Sequence, residues 1–388
     1  MTLSTTHRFD SIALEALSRR PGIKWTLFPE GVLPLWVAEM DFPLAGAIEQ
    51  AIVEHARGGD LGYPAPTGLP GLREAVARRL AEKHGLATEP DHVMPMSSTA
   101  TGLALSVRAF SEPGDEVLLL TPLYPPFKKS VELAGRVAVE VELVDDGSGY
   151  AIDFAALEAA VTPRTRMLML CNPHNPVGRV FTREELERLA ALAERHDLAL
   201  VSDDLHADLV LDGRHLPIAA LSPEVAARTV TLYGPTKAFN VPGLKVSFAV
   251  AQDPERLERM AAAGGGLTTP PNVLAQRATI AAYGAAEAWL DEVLDYLRGN
   301  REHLLKRVAQ AMPRVKVHRP EGTYLAWLDL RAFDLGEDVA AALAERAQVG
   351  VNDGASFGAC GRGFARLNFA TSRPILDEAL SRLERVLG

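Results

Sequence analysis

The 388-residue sequence predicts an α/β chain: a large, mostly parallel, doubly wound sheet joined to a smaller α+β unit. Two observations carry that expectation. Short apolar runs of strand length recur through the middle of the chain, separated by amphipathic helical patterns, and this alternation is the signature of crossover-connected parallel strands. The last third changes character, with one long helical stretch followed by short strands and a terminal helix.

The first forty-odd residues are rich in Pro, Trp and turn signals and are expected to pack against the C-terminal unit. The clearest strands then follow in order: 117–120 (VLLL), 137–143 (VAVEVEL), 167–171 (MLMLC), 198–202 (LALVS), 229–233 (TVTLY) and 246–251 (VSFAVA). Between the third and fourth lies a helix over 182–196, where Thr182 and Glu185 form a T-x-x-E capping box. Farther on, 285–312 reads as a long helix, with Trp289, Leu290, Val293, Leu294 and Leu297 at helical spacing. Short strands near 315–317 and 323–330, a helix near 338–347 and a terminal helix from Pro374 complete the chain. The expected division is a large domain over 45–284 and a small domain built from 1–44 and 285–388.

Composition narrows the function classes. Forty basic against fifty acidic residues leave a net charge of −10, which argues against a dedicated nucleic-acid binder. No apolar run approaches the length needed to cross a membrane, and the N-terminus carries Asp10, Glu15 and Glu30 with no secretory apolar core, so a cytoplasmic protein is expected. The two cysteines, Cys171 and Cys360, cannot build a disulfide framework, in keeping with a reducing compartment. Only eight of the forty basic residues are lysines, so few positions are open to lysine chemistry.

In doubly wound sheets, ligands sit at the carboxyl ends of the strands. Asn172–Gly178 (NPHNPVG) follows the run MLMLC; two Asn-Pro steps force a non-helical turn, which either is purely structural or aims an asparagine amide beyond the strand end. Ser202-Asp203-Asp204-Leu205-His206 ends the run LALVS. Two carboxylates there are costly unless something cationic pairs with them. A metal held by Asp203, Asp204 and His206 is one reading, although alternate residues of an extended segment face opposite sides. A carboxylate holding a protonated heterocyclic nitrogen is another, and a plain acidic loop is the third. Gly234–Lys245 (GPTKAFNVPGLK) follows TVTLY and puts Lys237 at a strand end, suited to Schiff-base chemistry if desolvation lowers its pKa. An amine to hold an aldehyde and a carboxylate to hold a pyridinium nitrogen are together what pyridoxal phosphate (PLP) demands.

NPHNPVG, SDDLH and TKAFNVPGLK in that order, with Lys237 placed 34 positions after Asp203, resemble the fold-type I PLP enzymes of the aminotransferase class I/II superfamily. VLPLWVAEMDFP (32–43), TPLYPPF (121–127), the histidine inside NPHNP and His206 resemble more narrowly the MalY/PatB-type cystathionine β-lyases, a branch of carbon–sulfur lyases. The resemblance runs from about Phe9 to the terminal helix. It implies an aspartate-aminotransferase-like fold, with a mostly parallel seven-stranded sheet in the large domain.

The resemblance also implies roles. Lys237 would carry the cofactor and shuttle the α-proton, Asp203 would keep the ring nitrogen protonated, and Asn175 would bond the phenolic oxygen. Tyr124 would stack on the ring, while Ser98, Thr99 and Ala100 open the helix that receives the phosphate. Lys245 would reach the same phosphate, with Thr236 and His206 also at the cofactor. Tyr63 would cross to a partner subunit's phosphate, making the active unit a homodimer with shared sites. Arg366 in GFARLNFA would clamp the substrate α-carboxylate, with the backbone at Ala38 lining its other side. The loop with Asn352, Asp353, Gly354, Phe357 and Gly358 is given no chemistry, and no metal is expected.

Several positions depart from the family pattern. Gly234 stands where a phosphate-binding serine is common, Thr236 replaces a serine, and Asp204 replaces a glutamate. The tryptophan-rich helix after Tyr63 is thinned to EAVARRLAEKHGL, which bears on side-chain specificity and weakens cystathionine itself as substrate. The implied activity is β-elimination from a cystathionine-like amino acid or a cysteine S-conjugate, giving thiol, pyruvate and ammonia. An aminotransferase built on the same apparatus, or a specialised lyase for a bulky conjugate, are the alternatives. A non-catalytic binding protein is disfavoured by the intact Lys237, Asp203, Asn175 and Arg366.

Overall fold

A computed structural model describes residues 7–388. Its centre is a seven-stranded sheet of β1 (Val93–Met96), β2 (Glu116–Thr121), β3 (Val137–Glu142), β4 (Thr165–Cys171), β5 (Ala199–Asp203), β6 (Thr229–Tyr233) and β7 (Ser247–Val250). The spatial order is β1-β7-β6-β5-β4-β2-β3. Strands β6, β5, β4, β2 and β3 run parallel, whereas β7 is antiparallel to both β6 and β1. Two successive antiparallel pairings turn β1 back to the direction of β6. The carboxyl ends of β1, β2, β4, β5 and β6 therefore share one edge of the sheet.

The apolar runs are continuous because both sheet faces are covered. Along β2 and β4, Leu118, Leu120, Leu168 and Leu170 enter one core with Leu186 and Leu189 of the helix Arg183–Arg195. The alternate residues Val117, Leu119, Met167 and Met169 enter a second core with Leu103 and Val107 of the helix Thr99–Phe110. The edge strand β3 keeps only Val141 buried and carries Glu140 and Glu142, charges that discourage edge-to-edge pairing. Thr182 caps the helix Arg183–Arg195 as its sequence implies: its side chain accepts from Glu185 N, while Glu185 accepts from Thr182 N at 2.7 Å.

A second sheet of four strands, Lys316–Val317, Leu325–Asp329, Phe364–Asn368 and Asn352–Asp353 in spatial order, is antiparallel throughout. The long helix Glu287–Ala311 and the terminal helix Arg373–Leu387 pack with it into a further core. The N-terminal segment joins this unit, since Leu33–Pro34 pairs in parallel with Val349–Gly350 and Phe9 stacks on Phe42 at 4.5 Å.

Two elements add to the expectations and one corrects them. The seventh strand of the large sheet, β1, is a short apolar stretch broken by Pro95; it is an edge strand, where a missing N–H is tolerated. The helix expected over 285–312 is present as Glu287–Ala311, and a further helix, Val273–Ala285, precedes it with the junction at Ala286. Asn352 and Asp353 form a strand rather than a loop.

Candidate active site

The carboxyl edge of the large sheet, the segment Trp36–Ala38 and the strand Phe364–Asn368 enclose a cavity of about 410 Å³. It is lined by twelve of the thirteen residues the sequence singles out: Ala38, Ser98, Thr99, Ala100, Tyr124, Asn175, Asp203, His206, Thr236, Lys237, Lys245 and Arg366. The thirteenth, Tyr63, lies away from this cavity with its side chain fully exposed.

Each group arrives from a strand end. Ser98 caps the helix Thr99–Phe110 at the end of β1, and its side chain accepts from Thr101 N at 3.1 Å. Ser98, Thr99 and Ala100 line the cavity, so the N-terminus of this helix, the positive end of its dipole, borders it. Thr99 Oγ1 lies 3.2 Å from Ser247 Oγ of β7. At Gly234 a Cβ would stand 3.2 Å from both Ser247 Cα and Val246 O, so a side chain there would press on that backbone and require it to give by a few tenths of an ångström.

The two asparagines of NPHNPVG divide the work. Asn172 is structural, its Oδ1 accepting from Phe181 N at 3.1 Å. Asn175 faces the cavity and accepts from Arg366 Nη1 at 2.9 Å, leaving its own N–H groups free to donate. Between them, buried His174 lies 2.8 Å from Pro122 O and 3.2 Å from Cys171 O, fastening this turn to the loop that carries Tyr124. Burial pushes the His174 pKa down to about 4.

Asp203 is 5% exposed and has no cation within 4.0 Å among the described residues; its Oδ1 accepts from Leu205 N at 3.0 Å. Desolvation, reinforced by neighbouring Asp204, pushes its pKa up to about 7. Asp204 turns the other way, accepting from Ser202 Oγ and lying 2.8 Å from His215 Nε2. The two carboxylates thus alternate across the strand end, and no group of three His, Cys, Asp or Glu side chains is gathered to hold a metal among the described residues. His206 is buried beside them with Nδ1 unpartnered, its ring 6.0 Å edge-on to Tyr324. Desolvation and the charges of Lys237 and Arg366 hold its pKa near 3, so it is neutral.

Lys237 Nζ donates to Ala38 O at 2.8 Å and meets no carboxylate within 4.0 Å among the described residues. Desolvation, with a smaller contribution from Arg366, lowers its pKa to about 8. The contrast with Lys24 is instructive: that side chain is fully buried, but 2.9 Å from Asp41 Oδ1. The Lys237 turn is tied to the N-terminal segment by Asn240, at φ 54°, which donates to Met40 O and Phe42 O and accepts from Met40 N.

Arg366 rises from the middle of its strand, 5% exposed. Besides Asn175, it donates to Trp36 O at 2.9 Å and Asn352 Oδ1 at 2.6 Å, and its face lies 4.9 Å from the Phe357 ring. Its Nε has no partner, and no carboxylate lies within 4.0 Å among the described residues; desolvation lowers its pKa to about 10. Asn352 and Trp36 are functional contacts the sequence did not disclose. Asn352 drew notice in the sequence only as part of a loop given no chemistry.

The sequence profile described as aminotransferase class I and II matches residues 30–383. The cystathionine β-lyase PatB of Bacillus subtilis is 36% identical, covering 92% of each chain. The aspartate/prephenate aminotransferase of Thermus thermophilus is 33% identical over 100% of this chain and 97% of its own. A crystal structure described as a putative PLP-dependent β-cystathionase from Corynebacterium diphtheriae superposes with a TM-score of 0.91 at 33% identity, covering 97% of this chain and 98% of that one. With a matching profile over nearly its whole length, the same fold and the expected groups gathered at one sheet edge, the chain belongs to the aminotransferase class I and II family of PLP-dependent enzymes.

Proposed function

We propose that the protein is a PLP-dependent carbon–sulfur β-lyase, cleaving cystathionine-like amino acids or cysteine S-conjugates to thiol, pyruvate and ammonia. One observation carries the cofactor and amino-acid part of this reading: a single cavity holds a buried carboxylate without a cation, a buried guanidinium without an anion, and a part-buried amine. Such charges are too costly to leave unpaired, so the site is complementary to a ligand with a cationic ring nitrogen and to a substrate with a carboxylate. Full-length similarity to PatB supports the lyase assignment.

The residues fit the cofactor. Asp203 would meet the ring nitrogen, Asn175 the phenolic oxygen, and Tyr124 and His206 the ring. Ser98, Thr99, Ala100, Thr236 and Lys245 would meet the phosphate. When bound, PLP supplies an aldehyde for an amine and an electron sink for the charge left at the substrate Cα. Arg366 binds and orients the α-carboxylate, using the N–H groups left free by Asn175, Trp36 and Asn352, with Ala38 on the opposite wall. Lys237 Nζ takes the α-proton as general base; a pKa near 8 keeps a usable neutral fraction at physiological pH. Departure of the β-thiolate, followed by hydrolysis, completes the balance of thiol, pyruvate and ammonia.

Incubating the purified protein and PLP with an S-aryl-cysteine or cystathionine should release pyruvate and thiol in equal amounts. Amino-group transfer without thiol release would overturn the lyase reading in favour of an α-amino-acid aminotransferase, the second reading that the 33% identity to the Thermus enzyme favours. A homodimer is part of the proposal, with Tyr63 reaching the partner's phosphate site, as is a cytoplasmic location. No helix among the described residues is long and apolar enough to cross a membrane. We also place the domain boundaries at 44/45 and 284/285, beside the junction at Ala286.

A further inference from the structure

A second cavity, of about 490 Å³, adjoins the first, and the two share Tyr124, Pro125, Ser356 and Phe357 in their walls. The shared wall is built by two loops joined backbone to backbone, Leu123 N donating to Phe357 O at 2.8 Å. It also borders the substrate anchor, because the Arg366 guanidinium stands 4.9 Å from the Phe357 ring centre. A substrate whose α-carboxylate sits on Arg366 therefore has its Cα beside this wall, and a long β-substituent has the second cavity within reach.

The two cavities differ in chemistry. The first holds isolated buried charges; the second has its acidic charge balanced internally. Lys128 Nζ lies 2.6 Å from Glu140 Oε1 and 4.0 Å from Glu132 Oε1, and Lys129 is an exposed rim residue. Apart from the hydroxyls of Thr121, Tyr124 and Ser356, what remains is apolar, chiefly Leu119, Leu123, the Phe357 ring and Leu133, which is 72% exposed at the last residue of the helix Pro126–Leu133. An apolar recess with a few polar rim groups recognises hydrocarbon, and a volume of this size holds a ring or a branched alkyl group.

We propose that this cavity is a second subsite, which receives a bulky apolar S-substituent of a cysteine conjugate and selects it over a short one. The proposal rests on the lyase reading above and names the substrate class of that same site. It assigns Leu133, which touches none of the chemistry, as a specificity-determining residue.

The test compares S-methyl-L-cysteine with S-(cyclohexylmethyl)-L-cysteine, whose alkyl thiolates are similar leaving groups, in pyruvate release by the PLP-loaded protein. The bulky conjugate is expected to have a kcat/KM about tenfold or more above the short one, from the apolar area it buries. Leu133→Gln should lower kcat/KM for the bulky conjugate about fivefold and leave S-methyl-L-cysteine within about twofold, the short substrate reporting that the variant is folded. Equal kcat/KM for the two conjugates, or a Leu133→Gln loss shared by both, overturns the subsite while leaving the lyase reading intact. No pyruvate from either conjugate overturns both.

Discussion

Asp203 and Arg366 are each 5% exposed, and neither meets an opposite charge within 4.0 Å among the described residues. Burial of that kind is paid for by a partner, and the partner here is a ligand. The Asp203 carboxyl, raised to about 7, shows the consequence. Its folded pKa lies above the ordinary value, so its protonated form favours the empty folded chain at low pH, and that contribution is lost as pH rises through 7. A cationic ring nitrogen needs the ionised form. Affinity for PLP should therefore strengthen about tenfold between pH 6 and pH 8. In Asp203→Asn that pH dependence should flatten and the affinity at pH 8 should fall; titration of the bound-cofactor absorbance measures both. Lys237 and Asp203 were legible in the sequence because each lies within a few residues of the end of an apolar strand run. Arg366 was legible only through resemblance: an arginine within a strand shows nothing of the carbonyl of Trp36 and the amide of Asn352 that aim it.

At the scale of elements, local sequence rules held where local interactions dominate. The capping box of Thr182 and Glu185 forms because both partners lie within one turn. Thr182→Ala should accordingly lower the unfolding free energy by about 1 kcal/mol, read from urea denaturation, with kcat unchanged because Thr182 is exposed and lines no part of the cavity. The six runs all became strands: five because burial on both faces demands continuous hydrophobicity, and the alternating run 137–143 as the edge strand β3 with Val141 alone buried. Two elements escaped for the converse reason. Strand β1 is four residues long with a proline, held by its register against β7, and Asn352–Asp353 is two residues long, held by the Arg366 strand. Neither carries enough periodicity of its own to be read.

At the scale of the whole molecule, the cavity lies where the large sheet's carboxyl edge meets the N-terminal segment and the four-stranded sheet. The side chain of Tyr63 and those of Leu61 and Leu267, 59% and 89% exposed, lie outside that assembly. In the proposed homodimer these surfaces are covered. Sedimentation should give twice the 41.8 kDa chain mass, and Tyr63→Phe should weaken cofactor retention several-fold at unchanged mass, the loss of one hydrogen bond to a charged group. A monomer at working concentration would remove the shared site.

The sequence by itself determined the α/β class, the strands of the parallel core, the capped helix and the identity of the chemical groups at the strand ends. Those features follow from periodicity and from residues adjacent in the chain. Only the tertiary structure decided which asparagine faces the cavity, that Asp204 turns to His215 while Asp203 does not, and that Gly234 packs closely on the backbone at 246–247. It alone brought Trp36, Asn352 and Arg366 together and set a second cavity beside the first. Some of these contacts join residues hundreds of positions apart, as Arg366 with Trp36, and others, such as Asp204 with His215, residues only 11 positions apart. They depend on strand direction, register and packing, which no local pattern of residues encodes.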